Sequence, residues 1–273
     1  MNWLAVRVRP GAERDSAIAA LFVMGSEGVH DTADEIVTHF PEGTDGDAIT
    51  AAVMSADPGA VVTVELIPAV DWNEEWKKGV RAHELGQLAI VPPWLSQDRD
   101  PDRTIVIEPQ MAFGTGEHET TRGVVRLLPC VIRQGDRVAD LGSGSAVLAI
   151  AAVKLGAAHV MAIELDHDAI ENAHENALRN GVAESITVIE GDAAVFLPLV
   201  SPVRVVLANI ISSVLLSLLP ALADALTTDG EAILSGLLLS ERETMMAALG
   251  ERGWSVSAED VEGAWWSVSI ARA

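Results

Sequence analysis

The sequence is poor in several residues whose scarcity narrows what the chain can be. It holds one cysteine, Cys130, which excludes an internal disulfide and a thiolate metal cluster, and no metal site is read elsewhere. Its place in an apolar run predicts a buried helix residue. Positive charge is also scarce. Only 18 residues are basic, three of them lysines (Lys77, Lys78 and Lys154), against 40 acidic ones, for a formal charge of −22. Such a chain is poorly suited to gripping phosphates, so direct nucleic-acid binding is not expected, whereas a basic protein or peptide would be attracted. Acidity equally fits a plain solubilising role in a salty cytoplasm.

No secretory leader is expected either, because Met1 to Pro10 has neither a basic start nor a long apolar centre with a cleavage site. The apolar stretch from Val205 to Leu219 is interrupted by Asn209, Ser212, Ser213 and Ser217 and bracketed by Arg204 and Pro220. It reads as a buried strand followed by a helix, not as a membrane span. A cytoplasmic monomer that avoids membranes is expected.

What is present is ample apolar material, 49% of 273 residues, enough for one medium and one small domain. Residues 1–68 show the order βαββαβ, with strand alternation from Trp3 to Val8 and from Val61 to Ile67 and helical spacing in Glu13 to Met24 and Asp47 to Met54. This order predicts a small ferredoxin-like α+β domain. Residues 69–103 read as a linker in which Trp72 and Trp76 share one face of a short helix. Residues 104–273 alternate strands and helices and end in two strands, which predicts a doubly wound α/β sheet with a reversed last strand.

The second domain is organised around Val138-Ala139-Asp140-Leu141-Gly142-Ser143-Gly144-Ser145-Ala146-Val147. Apolar strand residues run into a small-residue turn and out into an alanine-rich helix, so backbone N–H groups and a helix N-terminus can approach a cofactor. Glycines at Gly142 and Gly144 permit that approach, and Ala146 stands where a third glycine is common. A carboxylate, Glu164, ends the next strand, placed to accept hydrogen bonds from two ribose hydroxyls. The opening Asp140 would repel a pyrophosphate and suits a cationic methionine end, which favours S-adenosylmethionine over a dinucleotide. Asp192 follows the third strand, where it can meet an adenine amino group or simply cap a helix. Beyond Glu164, Asp168 to Glu171 resembles a capping box opening a helix whose inner face is Ile170, Ala173, Ala177 and Leu178. Ahead of the loop, Phe113-Gly114-Thr115-Gly116 and Thr120-Thr121 bring an irregular backbone and two hydroxyls to the same neighbourhood.

With these segments placed, the chain resembles the bacterial ribosomal protein methyltransferase A (PrmA) family. The resemblance rests on Asp71-Trp72 to Trp76, Ala112 to Gly116 through His118 to Thr121, Asp140 to Ser145, Ala208-Asn209-Ile210 and Leu234-Ser235-Gly236. It implies a Rossmann-like S-adenosylmethionine-dependent domain behind a substrate-recognition domain. The implied activity is methylation of lysine side-chain and N-terminal amines on the eleventh protein of the large ribosomal subunit. Carried over, the cofactor contacts are Thr121, Gly142, Glu164 and Asn209, with Asp140, Gly144, Phe113, Gly114 and Asp192 beside them. The family usually has aspartate at Glu164 and glycine at Ala146. Asn209 is the expected catalytic residue, orienting the attacking nitrogen, although a cofactor contact or helix cap explains it equally. His118 fits a proton relay or a structural role. A lysine methyltransferase of another protein, and a non-catalytic S-adenosylmethionine-binding assembly module, remain open; a nicotinamide enzyme ranks below both.

Overall fold

The computed structural model describes residues 2–67, 80–109 and 112–273. The chain divides into two units, Met1–Gly79 and Val80–Ala273. The expected tryptophan-bearing helix at Trp72 and Trp76 lies outside the described residues.

In the first unit the elements run β1 (Trp3–Arg9), α1 (Arg14–Val23), β2 (His30–Asp31), β3 (Ile36–Pro41), α2 (Gly46–Ala56) and β4 (Val61–Ile67). The sheet order is β2-β3-β1-β4 with every pair antiparallel, the ferredoxin-like arrangement. Period-two alternation buries Val6 and Val8 of β1 against Leu21, Ile49 and Val53 and leaves Arg7 and Arg9 exposed. The start of α2 is fixed by Asp45, whose side chain accepts the N–H groups of Asp47 and Ala48.

The second unit holds β5 (His83–Leu85), β6 (Leu88–Val91), β7 (Thr104–Val106), α3 (Glu119–Val131), β8 (Arg137–Leu141), α4 (Val147–Lys154), β9 (His159–Glu164), α5 (His167–Arg179) and β10 (Ile186–Glu190). It continues with α6 (Ala193–Val200), β11 (Val203–Asn209), α7 (Ser212–Ala225), β12 (Leu226–Leu238), α8 (Arg242–Glu251), β13 (Trp254–Glu262) and β14 (Trp265–Arg272). Seven strands form one sheet in the order β10-β9-β8-β11-β12-β14-β13. From β10 to β12 the pairs are parallel, and β14 runs antiparallel to both neighbours, so the last strand is the reversed one.

Both faces of this sheet are covered, which explains why its strands read as continuous apolar runs. Along β11, Val205 and Leu207 pack in the layer of α3, α4 and α5, while Val206 and Ala208 pack in the layer of α6, α7 and α8. Among the described residues no helix is long and apolar enough to cross a membrane, and Val205 to Leu219 resolves into the end of β11 and the first half of α7.

Four sequence expectations are corrected. Residues 80–103, read as linker, belong to the second unit, where β5 and β6 form a three-stranded sheet with β7. Cys130 is helical but exposed, because it shares the outer side of α3 with Arg126 and Pro129. The cap of α5 is Asp166, whose side chain accepts the Asp168 N–H at 3.0 Å, so the capping box opening at Asp168 does not form. On that helix Leu178 is 69% exposed, and Asn172 and Asn176 are buried instead.

Candidate active site

The order of the sheet reverses between β8 and β11, and open α/β sheets bind ligands at the carboxyl end of such a reversal. There the loop after β8 folds back on β9: the N–H groups of Gly142 and Ser143 donate to the Ile163 carbonyl at 2.8 and 3.2 Å. Gly144 has φ +52°, and a Cβ on it would lie 2.4 Å from the Phe113 carbonyl oxygen, so only glycine fits. Ser145 then donates twice, from its N–H to Phe113 O and from Oγ to Gly114 O, both at 2.9 Å. These bonds bring together two segments that the sequence separates by some thirty residues.

The Asn176 side chain holds the assembly from behind. Its Nδ2 donates to Ser145 O at 3.2 Å, and its Oδ1 accepts the Glu108 N–H at 3.1 Å. Asn180, one turn further, exchanges two hydrogen bonds with the backbone of Val106. The sequence reading includes Ser145 in the loop without giving it a role, and it missed Asn176. A signal exists in the four-residue spacing of Asn172, Asn176 and Asn180, which puts three amides on one face of α5.

Asp140 is fully buried beneath the loop. Its Oδ2 accepts the Ala149 N–H at 3.0 Å, while Oδ1 is buried without a hydrogen-bond partner. Burial pushes its carboxyl up to about 7; the Ala149 N–H opposes this, and the charge of Glu164 adds to it. Glu164 itself accepts from Gly144 N–H at 2.7 Å and from Asp166 N–H at 2.9 Å. Gly142, Glu164 and Asp192 line one cavity of about 350 Å³, whose apolar side is Ile163, Leu165 and Ile211. Asp192 also caps α6, with Oδ1 accepting the Ala194 N–H at 2.8 Å.

A second cavity, of about 260 Å³, is lined by Phe113, His118, Thr120, Asn209, Gly236 and Trp265. Ile210 and Ile211 line both cavities, with Asn209 immediately before them at the end of β11. Asn209 Nδ2 stands 3.4 Å from Oγ1 of the fully buried Thr121. Gly236 has φ +81°, and a Cβ there would sit 2.5 Å from the Ile210 carbonyl oxygen, so this glycine lets β12 pass close to the residue after Asn209. His118 caps α3: its Nδ1 accepts the Thr120 N–H at 3.3 Å and lies 2.8 Å from Thr120 Oγ1. The helix is anchored further along by Arg122 and Arg126, which bind Asp260 and Glu262 of β13. Hydrogen bonds from Arg122 and then Arg126 hold the Glu262 carboxyl below the usual carboxylate range.

These residues fit S-adenosylmethionine. The unpartnered, buried Asp140 Oδ1 offers an acceptor for a cation, Gly142 lines the cavity with no side chain to fill it, and Glu164 presents a carboxylate at the strand end. Among the described residues, no cluster of histidine, cysteine and carboxylates could hold a metal ion.

The comparisons agree with this geometry. The protein-family match is to "Ribosomal protein L11 methyltransferase (PrmA)" over residues 12–273. A protein named ribosomal protein L11 methyltransferase from Synechococcus sp. is 39% identical over 214 residues, which cover 77% of this chain and 71% of that protein. One of the same name from Myxococcus xanthus is 34% identical, covering 87% of this chain and 81% of that protein. Among solved structures, the ribosomal protein L11 methylase from Lactobacillus delbrueckii subsp. bulgaricus superposes with a TM-score of 0.63 at 32% identity, covering 71% of this chain and 99% of that one. A Rossmann-like sheet with a reversed last strand, a glycine loop closed by Glu164, and a family match over nearly the whole length place this chain in the ribosomal protein L11 methyltransferase family of S-adenosylmethionine-dependent enzymes.

Proposed function

We propose that this chain transfers methyl groups from S-adenosylmethionine to amino groups of ribosomal protein L11, lysine side chains foremost. The observation that carries this reading is the position of Asn209 beside a wall shared by two cavities, one beside Glu164 and one beside His118 and Trp265. The first takes the adenosine and the second the acceptor amine.

In the first cavity Glu164 accepts the ribose hydroxyls, and Asp192 and the apolar wall meet the adenine. Gly142 and Gly144 let the backbone approach, Asp140 faces the methionine end, and Thr121, Phe113 and Gly114 close the site. Bound S-adenosylmethionine supplies an electrophilic methyl group on a cationic sulfur. The protein then has to present an amine in line and without its proton. Asn209 orients that amine: with Nδ2 directed at Thr121, Oδ1 is left to accept a hydrogen bond from the attacking nitrogen.

The small first unit recognises the substrate, and the negative charge of the chain attracts a basic ribosomal protein. The enzyme works in the cytoplasm as a monomer, without direct contact to nucleic acid. The test is methyl transfer to unmodified L11, compared with transfer to an unrelated lysine-rich protein. Transfer to both alike would leave the methyltransferase and remove the L11 preference.

A further inference from the structure

Trp265 and Trp266 open β14 side by side, and strand alternation turns them to opposite faces. Trp266 is fully buried, and its Nε1 donates to Glu259 Oε2 at 2.8 Å. Trp265 is only half-buried and stands edge-on to His118, with ring centroids 4.8 Å apart at 66°. The His118 ring lies 5.3 Å from that of Phe113, which is 53% exposed although its side chain has no polar atom. Thr120 holds His118 by Nδ1, so the ring is fixed between its two aromatic neighbours. Together the three rings wall the acceptor cavity, and Asn209 lines it too.

A pocket with aromatic walls and a single amide fits a long apolar stem that carries a cationic head. We propose that Trp265 determines specificity for the acceptor amine, its indole packing on the methylene stem and attracting the ammonium head. This rests on the methyltransferase reading above and deepens it. The attraction is strongest while the nitrogen is charged and fades once the proton leaves, so Trp265 favours binding over the chemical step. Its removal raises the KM of the acceptor and spares kcat.

The test uses the full chain. Trp265→Ala is expected to raise the acceptor KM roughly 10-fold, with kcat and S-adenosylmethionine affinity changed less than about two-fold, and Trp265→Phe to keep most of the wild-type KM. Unchanged cofactor affinity and melting temperature show that the variants fold. A second readout is independent of turnover: binding of a short basic peptide carrying trimethyl-lysine, against the same peptide with its uncharged carbon isostere, to protein saturated with S-adenosylhomocysteine. Wild type is expected to prefer the cation, and Trp265→Ala to lose that preference. Equal binding of cation and isostere by wild type, or a fall in kcat with KM unchanged, would overturn the proposal. Failure of wild type to methylate L11 would strike the substrate reading instead, because the isostere comparison still reports on Trp265.

Discussion

Asn209 and Thr121 meet across the crevice between β11 and α3, amide Nδ2 to hydroxyl Oγ1 at 3.4 Å. Thr121 is fully buried, so the contact fixes which way the amide faces, and the proposed mechanism assigns the other amide atom, Oδ1, to the incoming amine. Loss of such positioning costs roughly 10²-fold in rate. Asn209→Ala is therefore expected to lower kcat by about that factor while S-adenosylmethionine binding, measured by calorimetry, falls much less. Equal losses in both would reduce Asn209 to a cofactor contact.

Asp140 gives a pH dependence with a definite sign. Its carboxyl is raised to about 7 by burial, so the folded state holds the proton more tightly than the unfolded chain does. The stability this contributes is complete below the ordinary aspartate value of about 4 and is lost as pH rises through about 7. Asp140→Asn keeps an oxygen for the Ala149 N–H and removes the titration. The melting temperature of the ligand-free variant should gain on wild type as pH rises through that window. Cofactor affinity should move the other way in wild type, strengthening with pH as the carboxylate forms beside a cation. A pH-independent difference between the two proteins would contradict this account.

The loop also stores backbone strain. Ala146 is fully buried at φ +63°, in the left-handed region that costs a residue with a Cβ roughly 1 kcal/mol. Ala146→Gly is expected to raise the melting temperature by about 2 to 4 °C, the shift such a relief gives in a unit of this size. Differential scanning calorimetry reads this directly, and a lower value would show that the alanine methyl packs well enough to offset its strain.

Steering by charge predicts a salt effect. With a formal charge of −22 against a basic substrate, raising ionic strength should weaken apparent L11 affinity through slower association. Turnover at saturating substrate should change little. Stopped-flow association rates that do not vary with salt would assign the acidity to solubility alone.

Much of the fold was legible because its signals are local. Period-two strands and period-3.6 helices mark the ferredoxin-like unit and the alternating second unit, and Asp140, Gly142, Gly144 and Glu164 sit at the spacing of an adenosine site. What escaped depends on tertiary contact. Asn176 looks like an ordinary helix amide until Ser145 and Glu108 arrive from other elements to use it. Leu178 and Cys130 look apolar, but the rotation of α5 and α3 turns them outward. Only the cap of α6 at Asp192 is legible, and its extent is not, because Pro198 and an apolar run obscure its period. Trp265 could not be told from Trp266 until β14 had a register.

The most direct measurement is the intact mass of unmodified ribosomal protein L11 after incubation with this chain and S-adenosylmethionine, with Asn209→Ala in parallel. Mass steps of one methyl group that map to amines and are lost in the variant are the predicted result. An unchanged mass, with S-adenosylmethionine binding confirmed in the same preparation, would contradict L11 as the substrate.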